Sequence, residues 1–233
     1  MWQFKNKIII ALDVNNKQEA LSLIGQLSPQ IDFYKVGYEL YLSEGNDLIK
    51  ELKTRGLKVF LDLKLHDIPN TVSRAVAVIA KLKPDMITVH ALGGAQMLKA
   101  AIDAAKDVHS QIKVLGVTVL TSLDEAAVKQ MGFGKDIRAL VPELARLVYE
   151  SGCAGIVCSG QDLPSLRQEF PPPFLMVTPG IRLPEQQGQD DQKRMITPST
   201  AIKKGADYLV IGRAITNQEQ PAAALKQLFN ENH

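Results

Sequence analysis

The sequence predicts an α/β fold, a single (β/α)8 TIM barrel, on three observations. Short β-branched or apolar runs alternate with amphipathic stretches from one end of the chain to the other. No linker, low-complexity tract or composition shift divides the 233 residues, a length that suits one barrel domain spanning 1–233. The first apolar run is followed by Asp13-Val14-Asn15-Asn16 instead of a glycine-rich dinucleotide fingerprint, which weakens the competing open, doubly wound sheet.

Taken in order, strands are expected at residues 8–12, 33–36, 58–63, 86–89, 113–120, 155–157, 175–177 and 208–211. Helical stretches are expected at 17–27, 48–54, 71–82, 96–108, 137–150 and 221–229. In the fourth of these, Met97, Ala100, Ala101 and Ala104 share one face, with Lys99, Asp103 and Lys106 mostly on the other. That is the 3.6-residue period of a surface helix covering a sheet. Strands alternating with helices imply parallel strands and right-handed crossovers. Pro171-Pro172-Pro173 reads as a rigid turn feeding the seventh strand.

Bulk properties narrow the function. Apolar residues are 45% and charged residues 22% of the chain, the balance of a soluble globular protein. The net charge is +2 and the basic residues are scattered, so neither a nucleic-acid footprint nor a polybasic membrane patch is expected. Cys153 and Cys158 are too few for a disulfide framework or a cysteine zinc site, and read as buried packing thiols. The N-terminal run ends in a carboxylate without a signal-peptide core, and no stretch approaches the ~20 apolar residues that span a bilayer. A reducing cytoplasm is the expected compartment.

In a barrel of this kind the chemistry lies at the C-terminal ends of the strands. Polar residues collect there: Asp13 after the first, Lys35 in the second, Asp62, Lys64 and Asp67 along the third and His90 after the fourth. Thr121 and Ser122 follow the fifth, Pro179 and Arg182 the seventh, Gly212 and Arg213 the eighth. Residues two apart on a strand share a face, so Asp62 and Lys64 point together, into the barrel mouth if Leu61, Leu63 and Leu65 pack outward. At ~4 Å and an effective dielectric near 20, such a pair attracts by about 4 kcal/mol before desolvation is subtracted. The alternative is a structural ion pair without chemistry, although buried pairs often add no stability over apolar replacements.

Asp67 lies in the turn that Pro69 and Asn70 continue. Alone it reads as a helix N-terminal carboxylate, with Asn70 or Thr71 as a cap. Taken with Asp62 and Lys64 it makes an Asp-Lys-Asp set, in which an ammonium held among carboxylates suits proton donation to a strongly basic carbanion. A fixed carboxylate beside it repels a substrate carboxylate, a repulsion lost as carbon dioxide leaves. At the eighth strand, Gly212 lets backbone approach an oxyanion and Arg213 supplies a planar fork. The loop at 178–197 is long and polar, and Gly180-Ile181-Arg182 at its base favours a phosphate-gripping lid over a disordered segment.

The run Asp62-Leu63-Lys64-Leu65-His66-Asp67-Ile68-Pro69-Asn70-Thr71 resembles the signature of the orotidine 5′-phosphate decarboxylase family. So do Ala11-Leu12-Asp13, Tyr34-Lys35-Val36-Gly37, Val89-His90-Ala91, Leu120-Thr121-Ser122, Thr178-Pro179-Gly180-Ile181-Arg182, Asp191-Gln192 and Ile211-Gly212-Arg213, all in the family's order. The likeness is to the bacterial, stand-alone branch. It implies decarboxylation of orotidine 5′-phosphate to uridine 5′-phosphate, the last step of de novo pyrimidine nucleotide synthesis, without cofactor or metal. It further implies that Lys64 protonates C6 and that Asp62 lies against the departing carboxylate. Asp13 and Lys35 would bind the ribose hydroxyls, and Lys35 would also pair into the Asp62–Lys64 array. Thr121 with Ser122 would contact the pyrimidine edge, and Pro179 would flank the ring. Arg182, Gln192, Gly212 and Arg213 would hold the phosphate. Asp67 and Thr71 would complete the site of a partner subunit in a homodimer. His90 reads equally as a ligand contact and as a satisfied polar residue.

Two other readings compete. A related barrel acting on a keto-sugar phosphate, such as a 3-keto-gulonate 6-phosphate decarboxylase, shares Asp-x-Lys-x-x-Asp but uses magnesium, and its metal site resembles a carboxylate where this chain has Lys35. A non-catalytic barrel sensing pyrimidine monophosphates would not need a carboxylate facing an anionic ligand.

Overall fold

Eight parallel strands close into a barrel in sequence order, with the first strand pairing with both the second and the eighth. The computed structural model describes residues 5–108, 111–181 and 196–230. The strands are β1 (Ile8–Ala11), β2 (Phe33–Val36), β3 (Lys58–Leu65), β4 (Met86–His90), β5 (Lys113–Val117), β6 (Gly155–Val157), β7 (Leu175–Thr178) and β8 (Tyr208–Ile211). The helices are α1 (Lys17–Leu27), α2 (Tyr38–Thr54), α3 (Pro69–Ala80), α4 (Gly94–Asp107) and α5 (Glu125–Gln130). They continue with α6 (Ile137–Glu150), α7 (Leu163–Glu169), α8 (Pro198–Lys203), α9 (Arg213–Thr216) and α10 (Pro221–Asn230).

Alternation along each strand sorts the core into two layers. Ile9, Ala11, Phe33, Phe60, Met86, Leu115, Val177 and Val210 fill the barrel interior. Their neighbours Ile8, Ile10, Tyr34, Val36, Leu61 and Leu209 pack outward beneath the helices. The strands are therefore buried on both faces, which is why they read as continuous apolar runs. On α4, Met97, Leu98, Ala101, Ile102, Ala104 and Ala105 are buried, and Lys99 pairs with Asp103 one turn on, at the surface. Cys153 and Cys158 are free and buried, as expected; burial pushes the Cys153 thiol up to about 12 and raises that of Cys158 as well.

Several boundaries differ from the sequence reading, four of them with a clear physical reason or a bearing on the site. Strand β5 stops at Val117, not at 120, because its neighbours end level with it: His90 and Val117 are partners on one side, Val117 and Val157 on the other. Strand β3 runs to Leu65 through an irregular stretch. Helix α2 begins at Tyr38, ten residues before the expected start, and is interrupted at Gly45, whose φ of 65° breaks the periodic pattern. Helix α3 begins at Pro69, with Ile68 in the capping position and no side-chain cap. Asn70 and Thr71 thus lie inside the first turn instead of capping it, since proline at the first helical position supplies the fixed φ that starts the helix. Helices α5, α7, α8 and α9, of 6, 7, 6 and 4 residues, are too short to show a period.

Candidate active site

Strand β3 carries the centre of the site. Phe60 and Asp62 face inward, while Leu61 and Leu63 pack outward in the shell. Beyond Leu61 the pairing with β4 slips. From Leu61 to Leu65 β3 advances four residues, whereas its partner advances two, from Ile87 to Val89. Lys64 takes a left-handed φ of 42° within this bulge. For a residue with a Cβ that conformation costs about 1–2 kcal/mol and persists only where its surroundings fix it. The result turns Lys64 to the same rim as Asp62, and its Nζ donates to Asp62 Oδ2 at 2.8 Å.

The other charges join this pair. Lys35, on β2, donates from Nζ to Asp13 Oδ1 at 2.9 Å and stands 4.0 Å from Asp62 Oδ2. A Cβ at Gly37 would come within 3.1 Å of Lys35 Nζ, so the glycine leaves that ammonium its space. The second oxygen of Asp62 accepts from the hydroxyl of fully buried Thr88 at 2.8 Å. Asp13, Lys35, Asp62 and Lys64 thus form a row of alternating sign along three adjacent strands. With side chains only 12% and 13% exposed, Lys35 and Asp62 lie mostly out of water, where each charge needs the other.

This row forms one wall of a cavity of about 240 Å³ at the C-terminal ends of the strands. The floor is Ala11, Phe60, Val117, Val157 and Val210. Val119, Leu120 and Thr121 line the side beyond β5, Pro179 and Gly180 the side beyond β7. Gly212 and Arg213 close the ring beyond β8. A Cβ at Gly212 would meet Ala11 Cβ and Asp13 Oδ2 only at 3.5 Å, an ordinary contact. The chain's own packing therefore does not demand glycine there, and the bare backbone faces space a ligand could use.

Eight of the thirteen sequence-derived site residues line this one cavity: Asp13, Lys35, Asp62, Lys64, Thr121, Pro179, Gly212 and Arg213. Asp67, Thr71 and Ser122 do not line it and are exposed. Asp67 Oδ1 accepts from its neighbour's amide, Ile68 N, at 2.7 Å. Arg182 and Gln192, with most of the expected lid, lie outside the described residues. His90 ends β4 without lining the cavity. Its Nδ1 accepts from Leu92 N at 3.3 Å, and its ring stacks on His66 with centroids 5.2 Å apart. Burial, then His66 and Lys64, lower the pKa of His90, so the structure supports the satisfied polar residue. Two residues that sequence reasoning missed touch this centre. Thr88 sits mid-strand, where a threonine reads only as a β-former. Tyr38 opens α2, and its hydroxyl donates to Leu63 O at 2.5 Å; burial and then Asp62 raise its pKa. Among the described residues, no three His, Cys, Asp or Glu side chains group so as to hold a metal ion.

The fold and this rim define a class: a (β/α)8 barrel with a pocket at the ends of its strands, walled on one side by charges of alternating sign. The family model described as orotidine 5′-phosphate decarboxylase / HUMPS family matches residues 6–228. The orotidine 5′-phosphate decarboxylase of Nitrosococcus oceani is 49% identical over 97% of this chain and 97% of its own. That of Dichelobacter nodosus is 48% identical over 95% of this chain and 96% of its own. The crystal structure of the Lactobacillus acidophilus orotidine 5′-phosphate decarboxylase superposes with a TM-score of 0.85 at 37% identity, covering 97% of this chain and 99% of that one. The chain belongs to the orotidine 5′-phosphate decarboxylase / HUMPS family.

Proposed function

We propose that this chain, acting as one catalytic domain, decarboxylates orotidine 5′-phosphate to uridine 5′-phosphate, the closing step of pyrimidine nucleotide synthesis, and needs no cofactor. The observation that carries the reading is the Asp62–Lys64 pair, 2.8 Å apart, in the same cavity that Arg213 lines. The substrate is anionic at both ends. Its phosphate would meet Gly212 and Arg213, joined by Arg182 and Gln192 from the loop after β7. Its C6 carboxylate would then lie against Asp62. Asp13 and Lys35 would hold the ribose hydroxyls, Thr121 with Ser122 the pyrimidine edge, and Pro179 the ring.

In the reaction the bond from C6 to the carboxylate carbon breaks and its electron pair stays on C6. Carbon dioxide leaves, and Lys64 Nζ gives C6 its proton, to be reprotonated from solvent. Binding energy from the phosphate and ribose, remote from the breaking bond, holds the carboxylate against the Asp62 charge. Asp67 and Thr71 would act across a homodimer. That role is supported by their exposure outside their own cavity, and by Ile68 beside them, an apolar side chain 66% exposed. The working compartment is the cytoplasm, a placement supported by two buried, free thiols.

A keto-sugar phosphate decarboxylase is the competing reading, so the deciding assay follows the ultraviolet absorbance of orotidine 5′-phosphate with purified protein, with and without excess chelator. Turnover indifferent to chelator is expected. Its loss would favour a magnesium-dependent relative, and binding of uridine 5′-phosphate without turnover would favour a sensor. Mixing Lys64→Ala and Asp67→Ala proteins tests the shared site, because heterodimers regain one complete site; no recovered activity would remove Asp67 from the partner's pocket.

A further inference from the structure

The bulge in β3 opposes a single residue of β4. Asp62, Leu63 and Lys64 lie between the pairs Leu61–Ile87 and Leu65–Val89, and Thr88 alone stands across from them. The peptide joining Leu63 to Lys64 is also held in an unusual way. Its N–H donates to Thr88 Oγ1 at 2.8 Å, and its C=O accepts from the Tyr38 hydroxyl at 2.5 Å. In a barrel strand those two groups ordinarily bond to backbone on the neighbouring strands. Here both partners are side chains. The same Thr88 hydroxyl donates to Asp62 Oδ1 at 2.8 Å. One buried oxygen therefore fixes the backbone of the lysine and the carboxylate of the aspartate together.

From this geometry we infer that Thr88, assisted by Tyr38, is a positioning residue for the Asp62–Lys64 pair: the two hydroxyls clamp the Leu63–Lys64 peptide in its left-handed turn and aim the ammonium at the reacting carbon. Thr88 does not line the cavity; it acts through Lys64 and Asp62. Without the clamp, nothing offsets the cost of the left-handed φ at Lys64, and its relaxation to the extended region would swing the Cα–Cβ bond and carry Nζ away from Asp62 Oδ2. Asp62 would also lose the donor that fixes its rotamer. A hydroxyl that both accepts from an amide and donates to a carboxylate has no apolar substitute. The inference rests on the decarboxylase reading for its kinetic consequence, but not for its structural one.

The test uses Thr88→Val, Thr88→Ser and Tyr38→Phe in the full chain. Thr88→Val keeps the shape and removes the hydroxyl. It is expected to lower kcat about ten- to a hundredfold, the range for losing a hydrogen bond to a charged group. The Kd for uridine 5′-phosphate should stay within about twofold, because Thr88 lies outside the cavity lining. Thr88→Ser restores the hydroxyl and should recover kcat to within about threefold of the unaltered protein. Tyr38→Phe, at a position 53% exposed, tests the clamp even if Thr88→Val fails to fold, and should lower kcat by about three- to tenfold. Amide hydrogen exchange at Lys64 should be at least about tenfold faster in Thr88→Val and Tyr38→Phe than in the unaltered protein. That readout holds even if the unaltered protein shows no turnover, an outcome that would defeat the decarboxylase reading and not the clamp. Unchanged Lys64 exchange in the folded variants would overturn the proposal, as would kcat within twofold of normal or a loss that Thr88→Ser fails to restore.

Discussion

The two ends of the barrel use ion pairs of nearly equal length for opposite purposes. At the N-terminal end, Asp85 pairs with Lys53 at 2.7 Å, and the same oxygen accepts from Val59 N at 2.8 Å. Asp85 N returns a hydrogen bond to Val59 O. Four strands later the arrangement recurs: Asp207 pairs with Arg167 at 2.5 Å, accepts from Met176 N at 2.8 Å and donates from its own amide to Met176 O. Each aspartate immediately precedes a strand and ties it to the start of the strand before. At the C-terminal end, among the described residues, the carboxylates of Asp62 and Asp13 bond to side chains, and Asp13, Lys35, Asp62 and Lys64 all line the cavity. A short ion pair is therefore uninformative by itself. Whether its carboxylate also completes the backbone ladder separates architecture from chemistry.

That contrast breaks most readily at Lys64. Lys64→Ala should reduce kcat by at least about a thousandfold, while uridine 5′-phosphate still binds and melting changes little; near-normal kcat would remove it as the proton donor. Next in size, Arg213→Ala should weaken phosphate-bearing ligands by about ten- to a hundredfold. Titration with the bare nucleoside supplies the control, and an equal loss there contradicts the phosphate assignment. At the other end, Asp207→Asn should cost about 2 kcal/mol of stability, a fall in Tm of about 4–8 °C. Its kcat per folded molecule should not change, and a large drop would erase the distinction between the two ends.

The smallest effect concerns His90. Its folded-state pKa is lowered from 6.5, so the unfolded chain takes up the proton first. Its contribution to stability is complete above about pH 6.5 and is lost as pH falls through the folded-state value. Denaturant titrations from pH 7.5 to 5 should show a steeper decline for the unaltered protein than for His90→Gln. Parallel curves would mean that the ring is not held neutral.

Much of this was legible in the chain. The strand positions follow from doubly buried apolar runs, and the charged residues at their ends announce the rim because charge is rare on an inward barrel face. What escaped has physical reasons. The first half of α2 buries little beyond Leu40, so no apolar stripe marks it. The bulge in β3 leaves no trace in Leu61-Asp62-Leu63-Lys64-Leu65, whose strict alternation reads as regular strand. Thr88 and Tyr38 matter through hydroxyls that meet a neighbouring strand, a relation set by register and not by spacing in sequence. Alternation along the strand predicts the right rim for Lys64, although the residue arrives there through a left-handed turn.

Closure of the barrel through β1 and β8 has a consequence for how the protein is made. The ladder Ile8–Leu209, Ile9–Val210 and Ile10–Ile211 joins positions about two hundred residues apart. A ribosome releases Asp13 early and Arg213 near the end, so every nascent chain passes through a stage with one half of the pocket and no counterpart. Until the last strand emerges, both flanks of the growing sheet stay open to pairing with a stranger. For this architecture the hazard of aggregation is concentrated in the tens of seconds of synthesis and ends with the final ladder.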